Sequence, residues 1–338
     1  MKNELPSVSI ICLCYNGAKY LKNFYECILN QTYNNIKLIV IDDCSTDNSY
    51  YIMDNYNNKL KDKGFEYVIK RLKENQGPAG AYNAGLEEVN SDYVIQIDCD
   101  DTITPNTISS YVNYLEENKE CEFVRSNGIL HYIDSSIKDI EFIDLPNIDL
   151  EAQYDHDLSS QILSGKSYIA PPCSYFYRFS ALKKIYPDLK IDSSRLGQNY
   201  QILLPLAYKY KGGFIKDVLF TYNIHNDSLE HKSIPKNEEI WRIDESVRLI
   251  RESLILVNAP ISYIEQFTDL RENRFKLALA YKYKDKKLAK TTYHKLQNSG
   301  KANYEDKKNY ISARFMILNA VRLVCKNIHI FLGKVINK

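Results

Sequence analysis

No apolar run in the 338-residue sequence reaches the ~18 uncharged residues that a membrane-spanning helix needs, so no segment is read as crossing a bilayer. The opening stretch MKNELPSVSIICLCYN lacks a charged region followed by a long apolar core and a small-residue cleavage site, so it is not read as a signal peptide. The chain is therefore expected in a reducing cytoplasm. Charge of one sign is not in excess: 44 Lys and Arg against 43 Asp and Glu leave a net charge of +1, which removes any global argument for a nucleic acid partner. The cysteines (12, 14, 27, 44, 99, 121, 173 and 325) form no CxxC pair and lie mostly in apolar runs, where they are expected as buried thiols. Missing too is the GxGxxG turn of a dinucleotide-binding fold; the corresponding turn reads CLCYNGAKYL with one glycine, which argues against a Rossmann dehydrogenase.

What is present is alternation. SVSIICLCY (7–15), IKLIVID (36–42), FEYVIKRL (65–72) and SDYVIQID (91–98) are β-branched and aromatic runs of strand length. Between them lie helical patterns. In AKYLKNFYECILNQ (18–31), Leu21, Phe24, Tyr25 and Ile28 recur at i, i+3, i+4 and i+7, which predicts a core-facing stripe. Such βαβ repetition predicts an α/β fold with a mostly parallel sheet covered on both faces, whose ligands bind beyond the carboxyl ends of the strands. The alternation fades beyond about residue 120, and from about 236 onward the pattern is helical. A domain over 1–230, with halves 1–120 and 121–230, and a helical extension over 236–338 are expected.

The polar clusters fall at the predicted strand ends: YNGAK, DDCSTDNS, ENQGPAGAYNAG and DCDD. The last is the most demanding, because Asp98, Asp100 and Asp101 crowd like charges at the end of an apolar strand. Alternation in an extended strand would put Asp98 and Asp100 on one side and Asp101 on the other. Two carboxylates facing one way can share a hard divalent ion whose other positions go to phosphate oxygens and water. The plainer reading is that Asp101 or Thr102 caps the next helix.

Taken together, VSIICLCYNGAKYLKNFYECILNQTY, IKLIVIDDCSTDNS, ENQGPAGAYNAGL, SDYVIQIDCDDTITP and FTYNIHNDSLEH resemble the family 2 glycosyltransferases of the GT-A fold, over roughly residues 7–230. The resemblance implies a nucleotide-sugar donor, a UDP-sugar above all, and a glycan or lipid-linked acceptor. It implies that Tyr15 and Asn16 lie near the nucleotide, that Asp43 hydrogen-bonds the base, and that Asn75, Gly77 and Asn83 line the donor pocket. By the same resemblance Asp98 contacts ribose or sugar and Asp100 holds Mn²⁺ or Mg²⁺ against the diphosphate. Gly77, Gly80 and Gly85 would let backbone approach the ligand or simply serve turn and helix packing. His225 matches a histidine common in the family, which either touches diphosphate or metal or is structural; His231 is a weaker candidate.

The family pattern breaks at the acidic pair that usually supplies the general base. The equivalent stretch, DSSRLGQNYQILLPL, carries Gln198 and Asn199, and amides orient substrates but do not accept the proton. Either Asp192 takes that proton, or the metal-bound diphosphate does, or the protein binds a sugar nucleotide without transferring it. The DxDxT pattern of phosphatases also fits DCDDT, but those enzymes place it after the first core strand rather than the fourth. On the acceptor side, YIAPPCSYFYR joins aromatics to Arg178, which could meet an acceptor phosphate or serve core packing. The tail, with Phe315, Leu318, Val321, Val324 and Ile328 among Arg314, Arg322, Lys326, Lys334 and Lys338, reads as a basic amphipathic helix for a membrane surface, for its own domain or for a second subunit of a homo-oligomer.

Overall fold

The computed structural model describes residues 5–133, 137–142, 159, 171–196, 198–225 and 234–314. The tail read as a basic helix (315–338), His231, Cys325 and the first residues of the 167–178 stretch lie outside them. The chain divides into two compact units, Met1–Lys232 with Leu249–Ile261, and Ser233–Arg248 with Ser262–Lys338.

In the first unit the expected alternation is realised as β1 (Val8–Cys14), α1 (Ala18–Leu29), β2 (Ile36–Asp42), α2 (Ser49–Asn55), α3 (Asn57–Asp62), β3 (Glu66–Arg71), α4 (Gly77–Leu86) and β4 (Tyr93–Gln96). Next come β5 (Thr102–Ile103), α5 (Thr107–Glu117), β6 (Phe123–Tyr132), β7 (Ile140–Glu141), β8 (Tyr175–Arg178), α6 (Phe179–Ile185), α7 (Gln198–Lys209) and β9 (Gly212–Ile224). One sheet runs in the order β3-β2-β1-β4-β8-β6-β9-β5, with β7 on β6. The pairs β3-β2, β2-β1 and β1-β4 are all parallel, so their carboxyl ends share one edge. The other half is mixed: β8 pairs antiparallel with β4 and β6, and β5 antiparallel with β9, while β6 and β9 are parallel.

The central strands are buried along almost their whole length, as parallel strands covered on both faces require. Helix α1 lays Leu21, Phe24, Tyr25 and Ile28 on the sheet, the stripe its spacing predicts. Helix α4 is different, because eight of its ten residues are buried, and those eight are small or apolar apart from a tyrosine hydroxyl. Gly85 is what lets it sit so close to β1: a Cβ there would stand 2.7 Å from Cγ2 of the buried Ile11. This is the packing reading of that glycine. Gly85→Ala is expected to lower stability by about 1–3 kcal/mol from overpacking, less the roughly 1 kcal/mol that alanine gains as a helix former. A lower urea midpoint with an unchanged slope checks it; an unchanged midpoint would mean that α4 can lift off the sheet at no cost.

The second unit is helical, with the first turns of α8 (Lys236–Leu256), then α9 (Ile261–Tyr283), α10 (Lys286–Asn298) and α11 (Tyr304–Arg314). Leu277, Ala280, Ala289, Tyr293, Leu296 and Ala313 form its core. Lys236 pairs with Asp285 at 2.5 Å, and Asp285 also caps α10 by accepting the Leu288 N–H at 2.9 Å. Among the described residues no helix is long and apolar enough to cross a membrane.

Of the described cysteines, all are free thiols; Cys12, Cys14, Cys99, Cys121 and Cys173 are buried as expected, whereas Cys27 and Cys44 are partly exposed.

Candidate active site

The shared carboxyl edge of β3, β2, β1 and β4 collects the predicted residues. Tyr15 follows β1 and is half exposed. Asn16 takes a left-handed φ of 53°, which Asn tolerates better than most residues. Its Oδ1 accepts the N–H of Thr46 at 2.8 Å and of Asp47 at 3.3 Å, while its own N–H donates to Ser45 Oγ at 2.9 Å. Asn16 therefore laces the loop after β1 to the loop after β2.

Asp43, just past β2, is nearly buried and reaches across to the start of α4. Its Oδ1 accepts the Gln76 N–H at 2.7 Å and its Oδ2 the Gly77 N–H at 2.9 Å. Burial pushes this carboxyl above its ordinary value, and the two N–H donors with the nearby Arg195 oppose that rise. Asn75 donates to the Asp43 carbonyl at 3.2 Å, so the turn is held from both ends. Gly77 has φ +76°, and a Cβ there would meet Arg195 Cγ at 3.1 Å. That position needs glycine for its backbone and for its neighbour alike.

At the end of β4 the structure corrects the alternation argument. The strand stops at Gln96, and Asp98 to Asp101 make a turn closed by the Asp101 N–H on the Asp98 carbonyl at 3.0 Å. Asp101 is thereby brought round to the others, and one oxygen from each of Asp98, Asp100 and Asp101 lies within 4.8 Å of the rest. Nor does Asp101 or Thr102 cap the following helix, whose N-cap is Asn106. Asp101 is 1% exposed; its oxygens accept the Asn223 N–H at 3.0 Å and the Cys173 thiol at 3.6 Å. Burial holds its carboxyl well above the usual range, and the charges of Asp100 and Asp98 add to the rise. Three hard oxygen donors crowded this closely suit Mn²⁺ or Mg²⁺.

Strand β9 holds the turn. Register pairs Thr102 with Thr221, so Asn223 comes opposite Asp100 and donates Nδ2 to the Asp100 carbonyl at 2.6 Å. Two residues on, just past the end of β9, His225 Nε2 lies 2.8 Å from Asp100 Oδ2 and its ring packs on Tyr20 at 5.1 Å. The histidine braces the carboxylate and stands outside the three-carboxylate cluster. Asn223 and Cys173 were not picked out from the sequence, because only the β5-β9 pairing and the segment leading into β8 bring them here; nor was Tyr20, which reaches the site from the first turn of α1.

The remaining predicted residues lie on α4, in the 191–196 segment, on α7 and on β8. Asn83 spends its amide on the backbone of Ile191, and Asp192 is exposed, its Oδ1 accepting the Ser194 N–H at 2.8 Å. Gln198 begins α7, and Asn199 Oδ1 accepts from the Tyr175 hydroxyl at 3.3 Å. Arg178, a candidate phosphate contact, is spent inside the fold instead. Its guanidinium bonds the carbonyls of Cys121 at 3.1 Å and Leu115 at 2.5 Å and the Tyr93 hydroxyl at 2.7 Å, at the start of β4 rather than its end.

Comparison with known proteins agrees with this architecture. The family described as Glycosyl transferase family 2 matches residues 9–186, more than half of the chain. An uncharacterised glycosyltransferase of Nostoc sp. is 28% identical over 236 residues, 69% of this chain and 70% of that protein. The minor teichoic acid biosynthesis protein GgaB of Bacillus subtilis is 25% identical over 246 residues, 69% of this chain but only 25% of its own length. Among solved structures, residues 1–349 of Staphylococcus aureus TarS in complex with UDP-GlcNAc superpose with a TM-score of 0.58 at 19% identity, covering 91% of this chain and 79% of that one. That likeness is one of fold, and the fold is GT-A. With its four parallel strands, its acidic turn after β4 and a match running through both, the chain belongs to glycosyltransferase family 2.

Proposed function

We propose that the protein transfers a sugar from a nucleotide donor, a UDP-sugar, to a hydroxyl of a bacterial surface glycan or lipid-linked oligosaccharide, with inversion at the anomeric carbon. The observation that carries the reading is the convergence of Asp98, Asp100 and Asp101 at the shared strand edge of a family 2 chain. The relative named for teichoic acid biosynthesis and the fold neighbour bound to UDP-GlcNAc favour the choice of donor and acceptor class.

In this reading Asp43 and the Asn75–Gly77 turn shape the nucleotide end of the pocket, and Asp98 meets ribose or sugar. Asp98, Asp100 and Asp101 would hold a divalent ion, which when bound offsets the charge that a departing diphosphate develops. The acceptor hydroxyl attacks the anomeric carbon from the face opposite the nucleotide, Asp192 takes its proton, and the nucleoside diphosphate leaves. Gln198 and Asn199 orient the acceptor. A second reading, binding of a sugar nucleotide without transfer, is favoured by those two amides alone.

A thermal-shift panel of UMP, UDP, GDP and UDP-hexoses, with and without Mn²⁺, separates the cases when combined with a coupled assay for UDP release. UDP is expected to raise the melting temperature more with Mn²⁺ than without, and at least one UDP-hexose to be consumed. A panel with no Mn²⁺-dependent nucleotide shift overturns the donor site; a shift without UDP release selects the binding-only reading.

A further inference from the structure

The segment from Ile191 to Leu196 carries Asp192, and its backbone is gripped in an unusual way. Asn83, in the middle of α4, donates Nδ2 to the Ile191 carbonyl at 2.9 Å and accepts the Ile191 N–H on Oδ1 at 2.9 Å. One residue on, Gln201 of α7 accepts the Asp192 N–H on Oε1 at 2.8 Å and donates Nε2 to the Asp192 carbonyl at 3.0 Å. Each amide side chain thus gives one residue both of the bonds that a neighbouring strand would supply. Gln201 is 3% exposed and is fixed in turn, because its own carbonyl accepts the Tyr186 hydroxyl at 2.7 Å. At the far end Arg195 donates Nη2 to the Asn75 carbonyl at 3.0 Å and lies over Gly77.

The segment is therefore a strap tied to α4 at two places, Asn83 and the Asn75–Gly77 turn, and to α7 at a third. The turn is the same one that Asp43 holds. Ile191 is buried and its backbone needs protein partners in any case, but the backbone of the exposed Asp192 could be satisfied by water at little cost, so the pair of bonds that Gln201 gives it needs another account. What the two amides fix is the backbone of an exposed carboxylate relative to the donor-side helix. A proton acceptor works only within hydrogen-bond reach of the hydroxyl, and small misplacements cost rate without costing binding.

We propose that Asn83 and Gln201 are positioning residues that set the Asp192 carboxylate against the donor pocket. The proposal rests on the reading of Asp192 as the proton acceptor. It assigns Asn83 to the acceptor-side strap rather than to direct contact with the nucleotide.

The test uses the full chain with Asn83→Asp and Gln201→Glu, which keep size and the accepting oxygen but put a carboxyl oxygen where the donating NH₂ stood, and Asn83→Ala as the harsher change. Binding is read with UDP and Mn²⁺ by calorimetry, turnover as release of UDP from the UDP-hexose consumed fastest by the parent protein. The expected result is a Kd for UDP within about twofold of the parent and a kcat lowered by about 10–100-fold, the scale seen when a supporting partner of a functional group is removed. In an Asp192→Asn background the same changes are expected to lower kcat no further. Parent-like kcat in Asn83→Asp and Gln201→Glu, or a loss that adds in full to that of Asp192→Asn, overturns the proposal while leaving Asp192 in place. Parent-like turnover of Asp192→Asn alone overturns the proton-acceptor reading, and the positioning role with it. Should Asn83→Ala unfold, the two isosteric variants decide.

Discussion

Asp100→Asn is expected to abolish the Mn²⁺-dependent part of UDP binding and to lower sugar transfer by at least about 100-fold, while the ligand-free protein melts at the same temperature or higher. The two halves of this expectation have one cause. Asp100 lies in a cluster of three carboxylates, two partly exposed and one buried, whose like charges oppose one another in the ligand-free fold. Removing one charge relieves that repulsion, leaves the Asp100 carbonyl still bonded to Asn223, and keeps an amide oxygen that can accept from His225 Nε2. A divalent ion, by contrast, loses a charged oxygen for which an amide is a poor substitute, and partners one step removed from a metal already cost 10–100-fold. His225→Gln belongs to that second class, since Nε2 braces Asp100 at 2.8 Å, and a loss of about 10–100-fold in Mn²⁺-dependent UDP affinity is expected there. Calorimetric titration of UDP at fixed Mn²⁺ reads both. An Asp100→Asn protein that keeps the full metal-dependent affinity removes the acidic turn from the donor site.

Much of this arrangement could be read before any coordinates. The βαβ alternation, the α1 stripe and the placing of every polar cluster at a strand end depend on local periodicity, and local periodicity survives folding because it is what the sheet and helices bury. What could not be read depends on pairings far apart in the chain. Asp101 was expected to face away from Asp98 and Asp100, because an extended strand alternates; the Asp98–Asp101 turn breaks that alternation two residues after β4 ends. Asn223 and His225 reach the turn only because β5 pairs antiparallel with β9 more than a hundred residues later. Asn83 was expected at the donor pocket because the motif around it resembles that of the family. Its partner is Ile191, 108 residues away, and no spacing rule joins the two. Arg178 was open between an acceptor phosphate and core packing, since an arginine beside aromatics suits either; it is engaged by two carbonyls and a tyrosine at the other edge of the sheet.

Asp192→Asn is expected to lower transfer by about 10²–10⁴-fold, the range that a positioned proton acceptor contributes, with the Kd for UDP and Mn²⁺ unchanged. The substitution is close to isosteric, and asparagine Oδ1 can still accept the Ser194 N–H that the carboxylate accepts at 2.8 Å, so the strap keeps its shape and only basicity is lost. The two amides at the positions where the family usually carries acids cannot take over. Gln198 and Asn199 have no proton affinity at neutral pH, and the Asn199 oxygen is already turned to the Tyr175 hydroxyl. Restoring the acids as Gln198→Glu and Asn199→Asp in the Asp192→Asn protein then becomes diagnostic. Recovered turnover would show that the same task is done from a different element, whereas continued inactivity with intact UDP binding would mean that the pocket has been rebuilt around Asp192. Parent-like turnover of the single Asp192→Asn variant would exclude this carboxylate and shift the proton to the departing diphosphate, whose oxygens would then have to lie within hydrogen-bond reach of the incoming hydroxyl.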